Sequence, residues 1–84
     1  MIRNKKYIVT GSSSGIGKSI SENLLNKGAI VIGISRKEDN RKSKNFSHYK
    51  IDLSDTKEGY NGILKVIRDN KTIDGIISNA GNGV

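Results

Sequence analysis

The stretch Val9-Thr10-Gly11-Ser12-Ser13-Ser14-Gly15-Ile16-Gly17 joins an apolar run to a helical pattern. Before it, Tyr7-Ile8-Val9 is short and β-prone, as a strand buried on both faces of a parallel sheet would be. After it, Ile16, Ile20 and Leu24 recur every four positions. This spacing predicts an apolar stripe along a helix from Ile16 to Lys27, closed by Gly28 in a left-handed cap. A strand, a glycine turn and a helix in that order make an anion site, because the helix N-terminus offers free N–H groups and the positive end of its dipole. Gly11 lets the chain leave the strand in a tight turn, Gly15 removes a Cβ that would block a ligand's approach to the backbone, and Gly17 allows close packing of helix on strand. Ser12, Ser13 and Ser14 add hydroxyl donors, and Ser14 is placed as the N-cap. The pattern predicts a phosphate-binding turn of the dinucleotide type. The competing reading, a flexible Ser/Gly linker, does not account for the strand and amphipathic helix on either side.

With 84 residues the chain corresponds to one domain or a piece of one, with a small core if it folds alone. Hydrophobic residues make up 33% and the mean hydropathy is −0.51, but isoleucines grouped in runs argue for a globular fold. There is no cysteine and a single histidine, His48, which excludes a disulfide framework, a thiol nucleophile and a metal cluster. Met1-Ile2-Arg3-Asn4-Lys5-Lys6 is followed by no long apolar stretch, so neither a secretory signal nor a membrane span is expected and the cytoplasm is the expected location. The net charge is +7, carried in large part by Lys5, Lys6, Arg36, Lys37, Arg41, Lys42 and Lys44. A nucleic-acid partner would use such charge, with steep salt dependence. Against it, the charges fall on termini and loops, and an aromatic content of 5% leaves little for base stacking. A solvated basic surface that favours a phosphorylated small ligand is the better reading.

Thr10-Gly11-Ser12-Ser13-Ser14-Gly15-Ile16-Gly17 resembles the Thr-Gly-x-x-x-Gly-Ile-Gly signature of the short-chain dehydrogenase/reductase family. That resemblance implies an α/β Rossmann-type doubly wound parallel sheet with strand order 3-2-1-4 over residues 1–84, forming the N-terminal part of the fold, and a nicotinamide dinucleotide across the carboxyl ends of the strands. Along the chain, Lys5 to Thr10 reads as the first strand and Ala29 to Ile34 as the second. The residue after the second strand would face the adenine ribose. Ser35 stands where NAD-preferring members carry Asp, and Arg36 follows, which looks like the NADP-preferring arrangement. Arg36 can pair with a phosphate dianion in a fork, or serve as an ordinary loop charge beside Lys37. Residues Glu38 to Ser47 show no apolar period, so the crossover is expected to be trimmed to a loop, a departure from the family that would leave one face of the second strand less covered.

His48 to Ile51 reads as the third strand, ending in Asp52-Leu53. This pair resembles the family's acidic motif beside the adenine, where a carboxylate accepts from the amino group; the bland alternative is that Asp52 closes a turn. A second helix opens at Ser54-Asp55-Thr56, with Asp55 and Glu58 spaced as a capping box and Tyr60, Ile63, Leu64 and Ile67 as its core face. Gly59 and Gly62 weaken that helix by roughly 1 kcal/mol each, so packing must hold it. Ile73 to Ser78 reads as the fourth strand. Asn79-Ala80-Gly81 after it resembles the family's Asn-Asn-Ala-Gly motif, with Ser78 in place of the first Asn.

The resemblance therefore implies cofactor contacts from Gly11, Ser13, Ser14, Gly15, Ile16, Gly17, Ser35, Arg36, Asp52, Leu53, Asn79, Ala80 and Gly81, with NADP expected ahead of NAD. It implies no catalytic residue in this chain. The family's Tyr-x-x-x-Lys pair is absent, since Tyr7, Tyr49 and Tyr60 are followed four residues on by Gly11, Leu53 and Leu64. Substrate chemistry would need a C-terminal half, so 84 residues are expected to bind a dinucleotide without turnover. The alternative is a degenerate, non-catalytic dinucleotide-binding module. With Ile76 and Ile77 on an open sheet edge, poor stability and self-association are also expected.

Overall fold

The computed structural model describes residues 3–13 and 15–79. Four strands and two helices alternate along the chain: β1 (Lys6–Thr10), α1 (Gly15–Asn26), β2 (Ile30–Ser35), β3 (Phe46–Lys50), α2 (Thr56–Asn70) and β4 (Gly75–Ile77). The strands form one sheet in the order β3-β2-β1-β4 and every ladder is parallel. Register is set by the apolar runs, with Ile8 beside Ile32 and Ile76, and Val9 beside Gly33 and Ile77. The α/β class and the 3-2-1-4 order are as expected.

Because side chains alternate along a strand, the runs Ile8-Val9 and Val31-Ile32 feed two cores at once. Ile8, Ile32, Ile34, Ile51 and Val66 form one, with Ile63 of α2 packed against it. Val9, Val31 and Phe46 form the other, against Ile20, Leu24 and Leu25 of α1. The helices thus lie on opposite faces, as right-handed crossovers require when the strand order reverses at β1.

Several elements differ from the sequence expectations. β1 begins at Lys6, β2 runs to Ser35, and β3 starts at Phe46, two residues before His48. Ile16, in the first turn of α1, is 71% exposed and does not join the stripe formed by Ile20 and Leu24. On α2 the expected core face is rotated: Tyr60 is 68% exposed, and Leu64 and Ile67 are also exposed, while Gly59 and Val66 are buried. The cause is the glycines. A Cβ on Gly62 would meet Ile51 Cδ1 at 2.7 Å, and one on Gly59 would touch Leu53 Cα at 3.4 Å, so these two positions form the contact face and let the helix sit close to the sheet. The Asp55 carboxylate caps α2 by accepting from the Glu58 N–H (3.0 Å), but Glu58 reaches past the cap to accept from the Asp52 N–H (3.0 Å).

The crossover from Arg36 to Asn45 contains no helix, as the lack of period predicts. It does not leave β2 bare, contrary to expectation: Val31 to Ser35 are all buried. The loop folds back so that the Arg41 guanidinium lies 4.2 Å above the Phe46 ring, and this pair covers the surface that a helix would otherwise occupy.

Candidate functional site

A cleft of about 700 Å³ runs across the carboxyl ends of the strands. It is lined by Thr10, Gly11 and Ser13 after β1, Ile34 to Lys37 at the end of β2, Ile51 to Ser54 after β3, and Ser78 and Asn79 after β4. The strand order reverses at β1, and the glycine turn leaves the sheet at that point. An open α/β sheet has its crevice there, because crossovers to either side diverge.

Gly11 takes φ +68 and Gly15 φ +59, a region that residues with a Cβ rarely adopt, so both glycines are required by the backbone of the turn. A Cβ on Gly15 would meet nothing within 4 Å, so its absence opens space for a ligand and relieves no contact within the protein. Gly17 is different. A Cβ there would overlap the carbonyl oxygen of Gly11, so α1 can start this close to the turn only with glycine. The Ile34 carbonyl accepts from the N–H groups of both Gly11 (2.7 Å) and Ser12 (3.4 Å). These two donors are therefore spent inside the fold, and the Ser13 N–H is the first in the turn with no acceptor among the described residues. Ser12 is fully buried, and its Oγ has no hydrogen-bond partner among the described residues. The turn is tied to β4 by the Asn79 N–H, which donates to Thr10 Oγ1 (2.8 Å). Asn79 thus joins the end of β4 to the end of β1 through its backbone N–H. Ser14, Ala80 and Gly81 lie outside the described residues.

At the other end of the cleft, Ser35 is buried and its hydroxyl is engaged internally: Oγ donates to the Lys37 carbonyl (2.9 Å) and lies 2.7 Å from His48 Nε2. With the hydroxyl proton committed to Lys37, the ring nitrogen is the donor of that pair. Arg36 and Lys37, both exposed, are the cations that line this end. Asp52 closes an Asx turn, accepting from Ser54 N–H (3.0 Å) and Ser54 Oγ (2.6 Å), and it also faces the cleft beside Leu53. The Ser54 hydrogen bonds hold its carboxyl below the usual range, and the charge of Arg36 adds to this. Sequence reasoning gave no role in the site to Lys37, Arg41 or His48: Lys37 lines the cleft, Arg41 lies in the loop without apolar period, and His48 stands behind Ser35 in β3.

Burial pulls the His48 imidazole below its ordinary value, although Asp39 and Glu38 pull the other way. A base with a depressed folded-state pKa contributes stability that is complete above its unfolded value, about 6.5, and is lost as the pH falls toward the folded value. The melting temperature is therefore expected to fall as the pH drops below about 6.5, and His48→Asn to flatten that part of the profile. Identical profiles for the two proteins would contradict the assignment.

The profile of the short chain dehydrogenase family matches residues 5–84. The chain belongs to this family. It is 34% identical over 82 residues to sorbitol-6-phosphate 2-dehydrogenase of Klebsiella pneumoniae, covering 95% of this chain and 31% of that protein. It is also 34% identical over 90 residues to 2-dehydro-3-deoxy-D-gluconate 5-dehydrogenase of Pseudoalteromonas atlantica, covering 95% of this chain and 35% of the relative. Among solved structures, a short chain dehydrogenase from Leptospira borgpetersenii with bound NAD+ superposes with a TM-score of 0.84 at 28% identity, over 99% of this chain and 34% of that one. The chain thus spans about a third of the length of the relatives it matches. Within the family, nicotinamide dinucleotide binding is consistent with a cleft at this place. Among the described residues, no cluster of His, Cys, Asp or Glu could hold a metal ion, and no helix is long and apolar enough to cross a membrane.

Proposed function

We propose that this chain is the nucleotide-binding part of an oxidoreductase that transfers a hydride between a nicotinamide dinucleotide, NADP ahead of NAD, and a small carbonyl or alcohol. The observation that carries the reading is the cleft itself, with amide donors at the glycine turn and two cations, Arg36 and Lys37, at the end of β2. The residues fit such a ligand: Gly15 leaves open the space a Cβ would fill, and the donor set is cationic or N–H at both ends. Bound there, the nicotinamide would supply or accept the hydride.

The chain's own groups would bind and orient. The Ser13 N–H and the first turn of α1, including Ile16 and Gly17, face the pyrophosphate with unpaired donors and the positive end of the helix dipole. Arg36, aided by Lys37, pairs with a 2′-phosphate; Ser35 supports the loop rather than the ribose, since its hydroxyl is occupied. Asp52 has a carboxylate oxygen to accept from the adenine amino group, and Leu53 packs beside it. Asn79 lines the cleft beside Ser78, and the contacts expected of Ala80 and Gly81 stay part of the proposal. None of Tyr7, Tyr49 and Tyr60 heads a Tyr-x-x-x-Lys pair, so turnover from this chain alone is not part of the proposal. The same reading places the work in the cytoplasm, and it includes self-association through the β4 edge, where Ile76 is 65% exposed.

The Leptospira relative holds NAD+, so the phosphate preference rests on Arg36 and Lys37 of this chain. Titration with NADP and NAD is expected to show tighter binding of NADP. Losing a charge-assisted phosphate contact costs about 1.5–3 kcal/mol, or about ten- to a hundredfold in Kd. Arg36→Asp should therefore reverse the order of the two constants. Equal affinities before and after the change would overturn the preference, and no binding of either dinucleotide would overturn the whole reading.

A further inference from the structure

The most heavily hydrogen-bonded side chain among the described residues belongs to a loop with no sequence motif. Arg41 donates through Nη1 to Ser21 Oγ in α1 (2.7 Å) and through Nη2 to the Ser12 carbonyl in the glycine turn (2.8 Å). Its Nε and Nη2 are held in turn by the Asp39 carboxylate, at 3.2 and 2.6 Å, and Asp39 also accepts from the Arg41 backbone N–H (3.1 Å). The guanidinium carbon lies 4.2 Å from the centre of the Phe46 ring, and the ion pair is largely buried, with side-chain exposures of 18% and 8%. One planar group therefore bolts the trimmed crossover, the helix and the turn together.

We propose that Arg41, oriented by Asp39, is a positioning residue that aims the Ser13 N–H into the cleft. The proposal rests on the cleft being the pyrophosphate site argued above. In a trans peptide the carbonyl of one residue and the N–H of the next point in opposite directions. Arg41 draws the Ser12 carbonyl into the protein on the α1 face, and this turns the Ser13 N–H outward. Rotation of that peptide would present a carbonyl oxygen where an anion must lie, replacing attraction with repulsion. Such a rotation would break a charge-assisted hydrogen bond and leave a buried guanidinium short of a partner.

The effect comes from direction rather than net charge. Asp39 neutralises the guanidinium, and Arg41's hydrogen bonds hold the Asp39 carboxyl ionised, below its usual range, against the opposing effect of burial. An ammonium at the same place would carry the charge but could not reach Ser12, Ser21 and Asp39 together, because it lacks the planar fork.

The test uses the full chain and three variants, Arg41→Lys, Arg41→Met and Asp39→Asn, with two readouts. Amide hydrogen exchange at residues 12–17 is expected to rise at least about tenfold in both Arg41 variants, through loss of the bond to the Ser12 carbonyl, while exchange in α2 stays unchanged. NADP should bind about tenfold more weakly to both, with Arg41→Lys failing to rescue, and inorganic pyrophosphate should follow the same order. Asp39→Asn should lie between them and the parent. Parent-like exchange in the turn of Arg41→Lys, or a uniform rise across α2 and the sheet, would overturn the proposal. Should Arg41→Met not fold, Arg41→Lys and Asp39→Asn decide it. If the parent chain binds no dinucleotide the cofactor reading fails by itself, and the exchange comparison still tests whether Arg41 holds the turn.

Discussion

Gly17→Ala is expected to lose dinucleotide binding and to melt at least about 12 °C below the parent, on the scale of about 4–8 °C per kcal/mol for a domain of this size. The added Cβ would overlap the Gly11 carbonyl oxygen and stand 2.7 Å from the Gly11 carbonyl carbon. Neither atom can retreat, because Gly11 is fixed at φ +68 and its N–H is bonded to the Ile34 carbonyl. The Asn79 amide, also 2.7 Å from the new atom, can swing away, so the backbone contact decides the outcome. Overpacking usually costs about 1–3 kcal/mol, and an immovable backbone partner puts this site at or above the upper end. Relief requires α1 to shift away from the turn, which displaces the N–H groups that define the anion site. Differential scanning calorimetry with dinucleotide titration checks both parts. A variant that melts and binds like the parent would show that α1 tolerates the shift.

Ile32→Ala should be nearly as damaging, for a different reason. Ile32 is 1% exposed in a central strand and packs with Ile8, Ile34, Ile51 and Val66 between the sheet and α2. Truncating a buried isoleucine costs about 2–5 kcal/mol, because the neighbours close only part of the cavity. Folded domains are stable by only about 5–15 kcal/mol, and a short polar chain stands at the low end. Urea unfolding should therefore show a large drop in midpoint with little change in slope. Ile76→Ala, at a site 65% exposed, should stay within about 0.5 kcal/mol. Similar losses for the two variants would mean that the β4 edge is covered in solution.

The glycine turn and the four strands were legible because each has a local signal: β-branched runs bounded by glycine or polar residues, and glycines where the backbone needs positive φ. Strand order came from the family resemblance, since no local feature says which strands are neighbours. The face of α2 was misjudged because apolar period was followed and glycine was taken only as a weakness. At Gly59 and Gly62 the missing side chain is the means of contact, which leaves Tyr60, Leu64 and Ile67 turned outward. Arg36 and Asp52, singled out by position, both line the cleft, while the occupied hydroxyl of Ser35 was not foreseen, because its partner His48 lies in the next strand. Arg41 left no trace, since its contacts reach back to Ser21 and Ser12 from a loop that reads as solvated charge.

The pairing of β1 with β4 also governs how the chain reaches this fold. β1 and β2 are joined through a single helix and can meet early, but the ladder from Ile8 to Ile76 closes across nearly the whole sequence. The entropy of closing so long a loop must be overcome before any bond of that ladder forms, which makes it a late and slow event. Until it forms, the edge of β1 that faces β4 is unpaired along Tyr7 to Val9, and the Thr10 hydroxyl has not yet received the Asn79 N–H. The cleft is therefore among the last parts of the molecule to be completed, and a ligand that clamps the turn to the end of β4 would speed the final step of folding as well as hold its product.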